Sequence, residues 1–206
     1  NSKSHKEGVS RTYKGFDGYA PIMAYIGTEG YCINTELRIG RQHCQKETPD
    51  FLRETIDLCR QLTDKPLLIR LDSGNDASEN IGIFMEESYK YNNVSFIIKR
   101  NPRQESKEEW LSSVKDCCTN IQTPRDGKTV YIGQTFRDVT YTLMDGKENT
   151  VGIRTIYEIA ERTIDKNGQY YIVPDIELDT YWTNLPLSDQ EIIDLYHAHG
   201  ESEQYH

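Results

Sequence analysis

The sequence predicts an α/β fold: a mixed sheet with flanking helices, an all-β insertion, and a last helix that returns to the core. Three observations predict it. Leu67 to Leu71 (L-L-I-R-L) and Val94 to Lys99 are short, mostly apolar runs of the kind found in strands buried on both faces, and a helix-forming stretch from about Glu79 to Tyr89 separates them. A strand, a helix and a strand joined by short links imply a parallel pair with a right-handed crossover. From Val130 to Thr183 the composition turns β-rich, with Asp126-Gly127, Asp145-Gly146 and Asn167-Gly168 as turn signals. Beyond it, Ser188 and Glu191 have the spacing of a capping box, which starts a helix that runs to the chain end.

The remaining elements follow in order. Tyr13 to Gly18 is rich in glycine and aromatic residues, and Ala20 to Ile26 (A-P-I-M-A-Y-I) reads as a buried strand. Thr28-Glu29-Gly30 turns the chain, and Tyr31 to Ile39 returns as the second strand of a hairpin. Pro49 opens an amphipathic helix with apolar Phe51, Leu52, Ile56, Leu58, Cys59 and Leu62, the fixed φ of proline suiting a first turn. Leu67 to Leu71 then ends at Asp72-Ser73-Gly74-Asn75-Asp76, the carboxyl end of a strand, where ligands sit in open α/β sheets. A charged, helix-prone segment runs from Arg103 to about Cys118, followed by strands at Val130 to Arg137, Val139 to Met144, Val151 to Asp165 and Tyr170 to Thr183. On this reading residues 1–120 are the first part of the core, 121–184 the β insertion, and 185–206 the closing core helix.

Composition narrows the function classes. The 206 residues carry 24 Lys+Arg against 33 Asp+Glu, a net charge of −9, with 36% apolar residues and 14 Tyr, enough to bury a core in one domain. The acidic total gives no general attraction for nucleic acid, although carboxylates can themselves be the chemistry. No apolar run approaches the roughly 18 residues of a membrane span and the first residues lack a hydrophobic signal region, so a soluble, cytoplasmic chain is expected. The five cysteines are odd in number and lack C-x-x-C spacing, which argues against a disulfide framework or a zinc site. The chain begins with Asn and its last residues continue a helical pattern, so it reads as a piece of a longer protein.

On the last helix Ile192, Tyr196, His199 and Glu203 are spaced to share one face, which turns a carboxylate inward. With Asp72 at a strand end, Glu203 offers a second acid from distant sequence, the oxygen-rich set that hard divalent cations require. The run R-L-D-S-G-N-D, the Thr183-Asn184-Leu185 before the last helix, and Tyr196-x-x-His199-x-x-x-Glu203 together resemble bacterial insertion-sequence transposases of the DDE type. The segment K-E-G-V-S-R-T-Y-K-G-F-D-G-Y-A-P-I is also similar to the region after the first catalytic strand in one branch of that group. The resemblance spans nearly all of the chain and extends to the order of elements.

That resemblance implies a ribonuclease-H-like fold and a reaction on DNA, with hydrolysis and strand transfer at the ends of a mobile element. It makes Asp72 the second catalytic carboxylate, Glu203 the third, and Tyr196 the motif tyrosine. His199 stands where the family has Arg, which keeps a phosphate contact but makes its charge pH-dependent. The first catalytic Asp of the family falls upstream of Asn1, and the family's Lys after the Glu falls past His206. The implied cofactors are two Mg²⁺ or Mn²⁺ ions, the partners double-stranded element ends and target DNA, and the parent a homodimer. Lacking the first acid, this stretch by itself is expected to bind metal weakly and not to cleave. Asp17 and Asp76 are candidate replacements, with turn and cap roles weighing more for both.

Lys99, Arg100, Arg103 and Arg41 fall at strand ends or in loops, where they are candidates to hold DNA phosphates together with His199 and Tyr196. Trp182 is expected in packing rather than in base stacking. Gly127-Lys128-Thr129 is a hairpin turn rather than a phosphate loop, since Gln122 occupies the place of the leading glycine and a strand follows. Adjacent Cys117 and Cys118 suit a buried structural role. Two other function classes remain beside the transposase: a catalytically dead DNA-binding or regulatory module of the same fold, and another metal-dependent nuclease.

Overall fold

A computed structural model describes residues 6–198. They divide into two units, one of residues 6–67 with 77–94 and the other of residues 68–76 with 95–198.

In the first unit, β1 (Ser10–Arg11) pairs with β2 (Asp17–Gly18), and β3 (Ile22–Ile26) with β4 (Tyr31–Glu36), both antiparallel. The expected strand to Ile39 stops at Glu36 because Arg38 turns inward. It is 3% exposed, and its guanidinium donates to Glu36, to the Cys44 carbonyl and to the Thr48 hydroxyl. Ile39 instead bridges to Tyr19. At Gly40 a Cβ would lie 2.1 Å from the Gly18 carbonyl oxygen and 2.3 Å from that of Ser10, so only glycine lets these backbones approach. Helix α1 (Thr48–Leu62) carries Pro49 in its first turn and buries Phe51, Leu52, Ile56 and Cys59, leaving Leu62 exposed at its end. It packs against α2 (Ser78–Tyr91), with Arg53 paired to Glu86 at 3.1 Å and Asp57 to Lys90 at 3.0 Å. Asn92 ends α2 in the left-handed region at φ 62°, which asparagine tolerates better than most residues.

The second unit is built on one mixed six-stranded sheet of order β5 (Leu67–Leu71), β6 (Val94–Arg100), β10 (Tyr170–Thr183), β9 (Glu148–Ile164), β8 (Lys128–Thr142), β7 (Asn120–Arg125). The β-rich stretch, expected as an insertion with its own character, is continuous with the core strands. Strand β10 pairs antiparallel with β6 from Thr180↔Arg100 to Thr183↔Ile97. Strand β8, expected as two strands, passes unbroken through Asp138, because β9 matches it residue for residue from Lys128↔Arg162 to Thr142↔Glu148. Strand β7 was masked in the sequence by Pro124, which the sheet tolerates at its edge beside a shift of register.

Alternation along β9 sends side chains to two cores. Ile156 and Ala160 join Ile97, Val130, Ile132 and Tyr181 beneath Ile192 and Ile193 of α4 (Asp189–His197). Tyr157 and Ile159 join Tyr131 and Leu178 beneath Leu111 and Val114 of α3 (Lys107–Lys115). The expected capping box is formed: the Ser188 hydroxyl caps Glu191, whose carboxylate returns to the Ser188 amide at 2.9 Å. Arg154 of β9 fixes the approach to α4, donating to the Leu185 and Leu187 carbonyls, both at 2.7 Å, and pairing with Asp189 at 2.6 Å. Among the described residues no helix is long and apolar enough to cross a membrane.

Candidate active site

Strand β5 delivers Asp72 to an exposed turn. Its Oδ1 accepts the Gly74 amide at 3.1 Å and the Asn75 side-chain amide at 2.8 Å, capping a single 3₁₀ turn over Ser73–Asn75. A short side chain that bonds backbone two residues on is what makes aspartate favour such turns. Both bonds run through Oδ1, and no hydrogen bond to Oδ2 is formed among the described residues. An exposed carboxylate with one oxygen so placed fits monodentate binding of a hard divalent cation.

The other end of the turn is held by Asp76, which is 9% exposed. Its Oδ1 accepts from the Trp182 indole nitrogen of β10 at 2.8 Å, and its Oδ2 from the Asn101 amide just past β6 at 2.9 Å. Behind it, the Arg100 guanidinium lies 5.3 Å from the Trp182 ring and forms a two-pronged pair with Glu105. Glu105 also accepts from the Trp110 indole at 2.8 Å and from Arg137 at 3.2 Å. Its hydrogen bond from Arg100 is the main reason that its carboxyl sits below the usual range.

Thr183 and Asn184, singled out as a sequence motif, extend the sheet with their side chains. The Asn184 carbonyl oxygen accepts the Phe96 amide at 3.0 Å, and the Thr183 hydroxyl donates to the Phe96 carbonyl at 2.8 Å. Together they satisfy both backbone groups of a buried β6 residue where the β10 ladder ends. The α4 backbone is tied to the neighbourhood of Asp72 by Arg70 of β5, which donates to the Leu195 carbonyl at 2.8 Å. A cation at a helix carboxyl end is favourable.

The sequence-predicted residues fare differently. Tyr196 is half-buried, its ring 4.8 Å from that of fully buried Tyr181, whose hydroxyl pKa is pushed up by burial. Lys99 pairs with Asp179 at 2.7 Å. Arg100, expected at a phosphate, is 8% exposed and committed to Glu105 and Trp182, so it supports the sheet instead. Arg103 is exposed in the turn after β6, with its backbone in the left-handed region at φ 54°. Arg41 and Asp17 are exposed residues of the first unit. Asp76 is the buried anchor just described rather than an exposed acid. His199 and Glu203 lie outside the described residues. Among the described residues no cluster of three or more His, Cys, Asp or Glu is arranged to hold a metal.

Trp182 packs in the sheet, as its sequence context suggested. Gly127 sits in the β7–β8 turn, confirming a hairpin rather than a phosphate loop. All five cysteines are free; Cys118 is half-buried and bonds the Ile132 carbonyl, whereas Cys117, expected inside, is exposed. Neither a protein-family model nor a curated protein matches the chain. What sequence reasoning missed was the Asp76–Trp182 bond. Its signal was present in the second acid of D-S-G-N-D, but nothing in linear spacing joins residues 76 and 182.

Proposed function

We propose that this chain belongs to the catalytic core of a DDE transposase with a ribonuclease-H-like fold, cutting and rejoining DNA at mobile-element ends. The observation that carries it is Asp72: an exposed carboxylate at the end of β5, within R-L-D-S-G, with its Oδ2 outside the turn's own hydrogen bonding. The sequence supplies the rest of the reading in Tyr196, His199 and Glu203. Asp72 and Glu203 would hold Mg²⁺ or Mn²⁺, which would supply charge to activate the attacking oxygen and to stabilise the leaving one. Asp72 presents its charge from a turn whose other oxygen is already fixed. Arg103, exposed beyond β6, offers a guanidinium to a DNA phosphate. The parent protein acts as a homodimer on paired ends in this reading.

The test is strand transfer by the full-length protein. Asp72→Ala and Glu203→Ala each abolish joining of a labelled element end to target DNA, because each removes a carboxylate that would hold the metal. Asp72→Ala stays folded, its thermal unfolding lowered only by the loss of one exposed turn cap, about 0.5–2 kcal/mol. Joining at wild-type rate by either variant would remove the assignment and leave a binding module of the same chain.

A further inference from the structure

Asp76 has no part in the chemistry described above, yet it is the most heavily engaged acid near Asp72. The turn from Asp72 to Asp76 is held by β5 at its start. At its end it is held by two bonds into different parts of the sheet, to Trp182 of β10 and to the amide after β6. Its own backbone contributes a longer bond, from the Asp76 amide to the Ser73 carbonyl at 3.4 Å. Arg103 adds a marginal contact to the Asp76 carbonyl at 3.5 Å. The Trp182 ring is fixed in turn by the Arg100–Glu105 pair, and Glu105 by Trp110 and Arg137. A hydrogen-bonded network whose inner members, Asp76, Trp182 and Arg100, are buried has one well-defined arrangement there, and whatever hangs from it inherits that definition.

We propose that Asp76 is a positioning residue: through Trp182 and Asn101 it fixes the turn that aims the Asp72 carboxylate, and so sets the affinity of that carboxylate for a divalent cation. This deepens the strand-transfer reading and rests on it. Asp76 touches neither metal nor DNA in this proposal. Residues that hold metal ligands from behind change metal affinity by about 10–100-fold when altered.

Two variants test it. Asp76→Asn keeps volume but can accept only one of the two N–H groups, because an amide nitrogen replaces one oxygen. Trp182→Phe removes the indole donor and keeps a ring beneath Arg100. In the full-length protein each raises the Mn²⁺ concentration giving half-maximal strand transfer about tenfold or more, with the rate at saturating Mn²⁺ largely retained. The two substitutions are less than additive in the double variant, since the residues share one hydrogen bond and the remaining Asp76→Asn oxygen is free for the Asn101 amide once the indole donor is gone. Hydrogen exchange of the Gly74 and Asn75 amides quickens in both, while that of central β9 amides does not change.

A shift with Asp76→Asn alone, Trp182→Phe remaining like wild type, would overturn the proposal by making Asp76 a direct ligand. Unchanged exchange at Gly74 and Asn75 in either variant would overturn it too. If Asp72→Ala joins DNA normally, the strand-transfer reading fails and the metal arm falls with it. The exchange measurements still decide whether Asp76 holds the turn.

Discussion

Glu105 ties three elements together through one side chain. It receives Arg100 from β6, Arg137 from β8 and the Trp110 indole from α3, and its carboxyl lies below the ordinary value of 4.5 chiefly because of the Arg100 hydrogen bond. The unfolded chain therefore takes up the proton first as pH falls. The stabilisation is fully present above about pH 4.5 and drains away as pH drops through the lower, folded-state value. Glu105→Gln keeps an acceptor for Trp110 but forfeits the charge-assisted pair. Its melting temperature at pH 7 should fall below wild type, and the gap should narrow as pH drops below about 4.5 and the wild-type carboxylate protonates. A gap that stays constant with pH would show that the charge of Glu105 does not carry the effect. None of this was legible in sequence, where Arg100 reads as a cation waiting for phosphate; only the fold brings Glu105, Trp110 and Trp182 around it.

At the scale of elements the outcome depended on whether a signal was local. The Ser188–Glu191 box, the proline-opened α1 and the D-G turns involve residues a few positions apart, and all formed where the sequence put them. The joining of β10 to β6 pairs residues some eighty positions apart, and periodicity carries no information about partners at that distance. The same limit hid the reason for Gly133, which no turn signal accompanies. It faces Tyr157 across the β8–β9 ladder, and a Cβ there would fall 2.2 Å from the tyrosine oxygen and 2.5 Å from its ring. Tyr157 is buried, its hydroxyl pushed up to about 12 mainly by desolvation, and its ring lies 5.8 Å from Trp110 of α3. Gly133→Ala should thus displace the ring into the α3-side core and cost about 1–3 kcal/mol, the usual range for overpacking. Urea unfolding measures it. A variant as stable as wild type would mean that the Tyr157 ring moves aside without disturbing α3.

For the molecule as a whole, the two units should differ in how readily they open. In the second, Ile97, Ile156, Ile159 and Tyr181 are fully buried on β6, β9 and β10, each of which has a strand on both sides. Amides there exchange only through large openings that break several ladders at once. In the first, β3 and β4 have only each other within their sheet among the described residues, with Tyr31 and Met23 exposed, and two-stranded hairpins are marginal unless something packs on them. What packs on β4 is α1, where the Asn34 side chain reaches Thr55 at 3.2 Å. Hydrogen exchange followed by mass spectrometry should therefore find β3–β4 peptides exchanging well before those of β9 and β10, with α1 between them because its buried face is larger. Equal protection of β3–β4 and β9 would contradict this ranking. It would mean that the open edges of the hairpin are closed by a strand or partner beyond the described residues, since nothing within its own sheet could slow them to that degree.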